Sequence, residues 1–129
     1  MNKQPVLGLD FVGTISDFPQ FFEILTSAWK GTIVIISFCD TVEEIVPYLH
    51  RFNIRYDKII AVSKDVSKAK IIEEENIDFF FDDGAANHVD LPAKVASFLV
   101  RGIGNFDYSR KLWKMDRKWR ESLDEKNGV

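Results

Sequence analysis

Four short apolar runs, each closed by a turn or a polar residue, constrain this chain more than anything else in it. They are Val6-Leu7-Gly8-Leu9, residues 32–37 (Thr-Ile-Val-Ile-Ile-Ser), Ile59-Ile60-Ala61-Val62 and Phe79-Phe80-Phe81. Runs this short and this continuously apolar suit strands covered on both faces. Residues at helical spacing separate them. Pro19 opens a helix carrying Phe22, Leu25 and Trp29, with Gly31 as its stop. Thr41, with Glu44 three residues on, forms a capping-box pattern before Val42, Ile45, Val46, Leu49 and Phe52, and Pro47 introduces a kink. Ser67 precedes a third helix through Ile71 and Ile72 that ends at Asn76, and residues 95–100 supply a fifth apolar run. This alternation predicts an α/β, three-layer Rossmann-like fold: a central parallel sheet of about five strands, helices on both faces and right-handed crossovers.

At 129 residues the chain fits one domain able to bury an ordinary core. A formal charge of -3 supplies no global drive towards nucleic acid or anionic membranes. The single Cys excludes an intrachain disulfide, and no apolar run approaches the roughly 20 residues of a membrane span. The opening residues lack the apolar core of a signal peptide, so a cytoplasmic location is expected. Near the C-terminus, Tyr108, Leu112, Met115, Trp119 and Leu123 form an apolar stripe flanked by Arg110, Lys111, Lys114, Arg117, Lys118 and Arg120. Residues 108–126 are expected to form an amphipathic helix docked on the sheet, with contact to nucleic acid or an acidic partner as the alternative.

In a parallel sheet, ligands bind at the carboxyl ends of the strands near the point where strand order reverses. That rule selects Asp10, Ser37 and the Asp82-Asp83 pair, each at the end of an apolar run. An Asp after a single strand is ordinarily a turn residue. Several such ends converging on one crevice indicate a site.

These residues resemble, in order, the motifs of the haloacid dehalogenase (HAD) superfamily. Asp10-Phe11-Val12-Gly13-Thr14 is similar to its first motif, Asp-x-Asp-Gly-Thr. Ser37 resembles the second, Lys68 the third and Asp82-Asp83 the acidic fourth. Asn105 and the Trp119-Arg120-Glu121 stretch resemble small nucleotidase-like members more weakly. The resemblance implies that Asp10 is a nucleophile accepting a phosphoryl group as an aspartyl phosphate. It implies Mg²⁺ held by Asp10, the Val12 carbonyl and Asp83, with Asp82 and Asn87 nearby. Asp83 is preferred to Asp82 because many members carry Gly immediately before the acidic ligand. Lys68, with Lys64 and Lys70 as neighbouring alternatives, would reach the nucleophile and the phosphoryl group. Ser37 and the amides of the Gly13-Thr14 turn would bind phosphate oxygens.

One position departs from the pattern. The family's second Asp, its general acid and base, is here Val12, and losing that proton transfer costs on the order of 10²- to 10⁴-fold in rate. Asp17, Asp40 and His88 are candidates to replace it, and His has the fitting intrinsic pKa. Cys39 reads as an inert thiol. A good leaving group, as in acyl or aryl phosphates, would reduce the need for a proton donor. The gaps from Asp10 to Ser37 and from Ser37 to Lys68 leave no room for a cap domain. An open site implies a large phosphorylated substrate, or a neighbouring copy acting as a lid in a homo-oligomer. Two functions are therefore expected from the resemblance: a Mg²⁺-dependent phosphohydrolase, or an inactive HAD-fold binding or regulatory module.

Overall fold

A computed structural model describes residues 3–63 and 66–127. Its centre is a five-stranded, all-parallel sheet with strand order β3-β2-β1-β4-β5. The strands are β1 (Leu7–Leu9), β2 (Ile33–Phe38), β3 (Lys58–Val62), β4 (Phe79–Asp82) and β5 (Ala96–Leu99). The order reverses beside β1, which pairs with β2 on one side and β4 on the other, Leu9 lying opposite Ile35 and Phe81.

Side-chain alternation along each strand builds two cores, one per face of the sheet. Leu7, Leu9, Ile33 and Ile35 meet Phe22 of helix α1 (Pro19–Ala28) and Leu49 of α2 (Val46–Arg51). Val34, Ile36 and Phe80 point the other way and meet Ile72 of α3 (Lys68–Glu74). This is the Rossmann-like α/β arrangement the alternation predicts. Between these layers Gly8 leaves no room for a side chain, since a Cβ there would lie 2.9 Å from Ile77 Cγ2.

Local chemistry sets the helix ends. Pro19 opens α1. Ser67 Oγ accepts a hydrogen bond from the Ala69 amide at 3.2 Å, capping α3. Asn76, in the left-handed region at φ 55°, follows its end. The second helix differs from expectation. Thr41 makes no side-chain capping bond, Val42–Glu44 forms a separate 3-10 turn, and α2 begins only at Val46. Pro47 has no amide hydrogen to continue a ladder from residue 43, and it is tolerated because it stands in the first turn of α2.

The C-terminal region is a larger correction. A helix over 108–126 does not form. Instead β6 (Phe106–Asp107) and β7 (Leu112–Trp113) pair as an antiparallel hairpin, and α4 spans only Arg117–Asn127. Lys111 and Met115 both adopt positive φ, 57° and 71°, which no helix accommodates. Asp107 favours the turn locally, its carboxylate accepting the Arg110 amide at 3.0 Å. Among the described residues no helix is long and apolar enough to cross a membrane.

Candidate functional site

The carboxyl ends of β1, β2 and β4, with the first turn of α3, enclose a cleft of about 850 Å³. Asp10, one residue past β1, and Asp82, the last residue of β4, are both buried on its floor. They stand side by side because β1 and β4 run parallel in register, the Asp10 amide donating to the Phe81 carbonyl at 2.9 Å.

Lys68 joins them. Its ammonium, 2 % exposed, donates to Asp10 Oδ1 at 2.8 Å and to Asp82 Oδ2 at 2.7 Å, and it lies 4.7 Å from the centre of the Phe38 ring. Burial alone would lower the Lys68 pKa, but the Asp10 and Asp82 carboxylates outweigh it and hold the pKa above its ordinary value. Of the neighbouring candidates, Lys70 is exposed outside the cleft and Lys64 lies outside the described residues.

The two carboxylates of the acidic pair have different surroundings. Asp82 also accepts the Gly84 amide at 2.8 Å and the Asn87 side-chain amide at 3.1 Å, so with Lys68 its oxygens are well supplied with donors. Asp83 is half-buried, shares a side-chain hydrogen bond with Asp10, and receives a long contact from Asn105 Nδ2 at 3.4 Å. Oxygens from Asp10, Asp82 and Asp83 lie within 4.8 Å of one another. Burial pushes the Asp10 carboxyl well above the usual carboxylate range, against the pull of Lys68, and burial raises Asp83 as well. Among the described residues a single ammonium thus faces a cluster of three carboxyl groups.

That donor set fits a hard divalent cation, which prefers carboxylate oxygens and would compensate the excess charge. Asp10 and Asp83 would be its direct ligands, with Asp82 bound mainly to its own donors. Asn87 acts first as a donor to Asp82. Ser37 adds a second sign of a ligand: it lines the cleft, is 1 % exposed, and among the described residues its hydroxyl has no partner beyond an interaction with the Cys39 thiol.

Gly13 and Thr14 serve the site from behind. Thr14 Oγ1 donates to Asp10 Oδ2 at 2.9 Å, and the Gly13 amide donates to Ser16 Oγ at 2.8 Å. Neither lines the cleft. Gly13 is required twice over. Its φ is +84°, and a Cβ would lie 2.1 Å from Asp83 Oδ2.

Val12 lines the cleft and is 64 % exposed. Of the candidates to replace it as an acid or base, Asp17, Asp40 and His88 are all absent from the lining. His88 Nε2 instead contacts the Asp82 carbonyl oxygen at 2.9 Å, and its ring packs against Phe80. Burial first, then Glu44, raise the Cys39 thiol, which disfavours the reactive thiolate.

Sequence reasoning missed the far wall of the cleft. Met115, Trp119 and Arg120, from the segment following the hairpin, line it together with Val66 and Val89. The turn residues at Asp107 to Ser109 were the available signal, because a hairpin there folds the chain back towards the sheet. Comparison with family models, with curated proteins and with solved structures gave no match.

Proposed function

We propose that the chain is a Mg²⁺-dependent phosphohydrolase of HAD type, working through an aspartyl phosphate on Asp10. The observation that carries this reading is Lys68, buried between Asp10 and Asp82 at 2.8 and 2.7 Å, beside a third carboxylate at the sheet's switch point. A buried carboxylate held by an ammonium, with an open side towards a cleft, is placed to attack phosphorus. Lys68 orients Asp10 and offsets charge as the phosphoryl group arrives. Ser37 offers a hydroxyl to a phosphate oxygen. Mg²⁺, when bound, would neutralise the phosphate dianion and allow the carboxylate to approach.

The test is turnover of a phosphate-ester panel with and without Mg²⁺, alongside Asp10→Asn. Mg²⁺-dependent release of phosphate that Asp10→Asn abolishes is expected. Release that Asp10→Asn leaves unchanged would sink the reading.

A second reading, an inactive binding or regulatory module of the same fold, is favoured by Val12 and by the absence of Asp17, Asp40 and His88 from the cleft. Val12→Asp separates the two. A gain of about 10²- to 10⁴-fold on alkyl phosphates means the remaining machinery is intact, whereas no gain favours the binding module.

A further inference from the structure

The expectation of a capless, open site led towards a large substrate. The C-terminal segment changes that, because Met115, Trp119 and Arg120 line the same cleft as the carboxylates. Its volume, about 850 Å³, lies within the range of small-molecule sites.

This wall is fixed to the floor. Asn105, 6 % exposed, contacts Asp83 through its side chain and accepts the Lys114 amide at 2.7 Å through its carbonyl. An ion pair between Arg101 and Asp116 ties the hairpin's far end, and Arg101 also lies over the Trp113 ring at 4.9 Å. The Trp119 indole N–H donates to Asp107 Oδ2 at 3.0 Å, so the ring is oriented and its polar edge is occupied. What it can offer a ligand is a flat apolar surface. Arg120 lines the same wall with no carboxylate partner among the described residues.

The opposite requirement comes from Val12. Under the phosphohydrolase reading residue 12 would carry the proton donor, and Val12 puts an exposed isopropyl group there, so the leaving oxygen receives no proton from this position. A phenol-type oxygen, with a pKa of about 10 like that of tyrosine, can depart as an anion. An alkoxide, whose conjugate acid is nearly as weak as water at about 15.7, cannot do so readily.

We propose that this cleft takes a small phosphate monoester of a phenol-type leaving group, its ring packed between Val12 and the Trp119 and Met115 wall. The inference rests on the phosphohydrolase reading for its chemical step. Asp10 attacks phosphorus, a carboxylate O–P bond forms, and the aryl O–P bond breaks with its electron pair leaving on the phenolate. Water then attacks phosphorus and releases inorganic phosphate and the Asp10 carboxylate, its proton passing to solvent. Without a base at residue 12 this second step is the slower one. A burst of phenol of about one equivalent per enzyme therefore precedes steady turnover.

The experiment compares phenyl phosphate, propyl phosphate and a 5′-phosphorylated oligonucleotide on the intact chain with Mg²⁺. Phenyl phosphate is expected to exceed propyl phosphate by about 100-fold or more in kcat/KM, and Val12→Asp to narrow that ratio by raising propyl phosphate the more, while it removes the phenol burst by speeding the second step. Trp119→Ala should weaken phenyl phosphate about 3- to 10-fold through KM, leave propyl phosphate unchanged, and be rescued by Trp119→Phe. Equal rates on the two small esters, an oligonucleotide preferred to both, or no differential effect of Trp119→Ala overturns the proposal. Thermal shifts with phenylphosphonate and propylphosphonate separate the two readings if no ester turns over. Ring-selective binding lost in Trp119→Ala upholds the ligand class while the enzyme reading fails, and absence of selectivity overturns the ligand class too.

Discussion

Two cations line the same cleft and live in different worlds. Lys68 is 2 % exposed and holds two carboxylates, whereas Arg120 is exposed and holds none among the described residues. The floor around Lys68 draws its groups from the residue after β1, from β4 and from α3. The wall around Arg120 comes from one local stretch of chain, a two-stranded hairpin and the start of α4. Charge on the floor is part of what keeps the fold together. Charge on the wall is free to meet a ligand.

The sharpest way to break this contrast is Lys68→Met. It leaves Asp10 and Asp82 buried without their ammonium, and is expected to cost about 3–5 kcal/mol in urea denaturation. A cost below about 1 kcal/mol would mean the floor does not depend on the ion pair. Gly13→Ala should come next, at about 1–3 kcal/mol, from its positive φ and from the Asp83 oxygen a methyl would displace. If Mg²⁺ binds this cluster as proposed, the substitution should also reduce the thermal stabilisation Mg²⁺ gives; an unaltered Mg²⁺ response would exclude Asp83 as a ligand.

The pH dependence sharpens the same point. Asp10 and Asp83 have folded-state pKa values raised above the ordinary carboxylate range by burial, so the folded state binds their protons more tightly than the unfolded state. Their contribution to stability is therefore greatest at acid pH and falls as pH rises through the raised values. Mg²⁺ bound as proposed would compete with those protons, so its increment in Tm should be larger at pH 7 than at pH 5. An increment independent of pH would place the cation elsewhere. Smallest of all, Arg120→Ala should change stability by no more than about 0.5 kcal/mol, as an exposed charge without a partner. A larger loss on thermal unfolding would show that the wall, too, is held by its charges.

The floor was legible in the sequence and the wall was not, for physical reasons. Short apolar runs can satisfy their backbone only by pairing, so their number and the helices between them prescribe a parallel sheet, and the sheet brings Asp10 beside Asp82. Lys68 comes from the resemblance to the family's third motif, and the cap at Ser67 sets it in the first turn of α3. The relative parts played by Asp82 and Asp83 did not follow. They depend on which side of β4 each carboxylate leaves and on donors such as Gly84 that have no side-chain signal. The C-terminal stripe misled because Tyr108, Leu112 and Met115 are spaced as in a helix while Lys111 and Met115 occupy positive φ. Hydrophobic spacing alone could not weigh the Asp107 turn against it.

The Lys68 bridge also bears on how the chain finds its structure. It spans 58 residues to Asp10 and 14 to Asp82, so it can close only after β1, α3 and β4 have assembled. In the observed register Leu9 lies opposite Phe81. A slip of β4 by one residue would turn its side chains to the opposite face of the sheet and carry the Asp82 carboxylate away from the ammonium. The ammonium acts as a proofreader for the pairing of the central strands, rewarding one alignment and leaving the others with unneutralised charge in the interior.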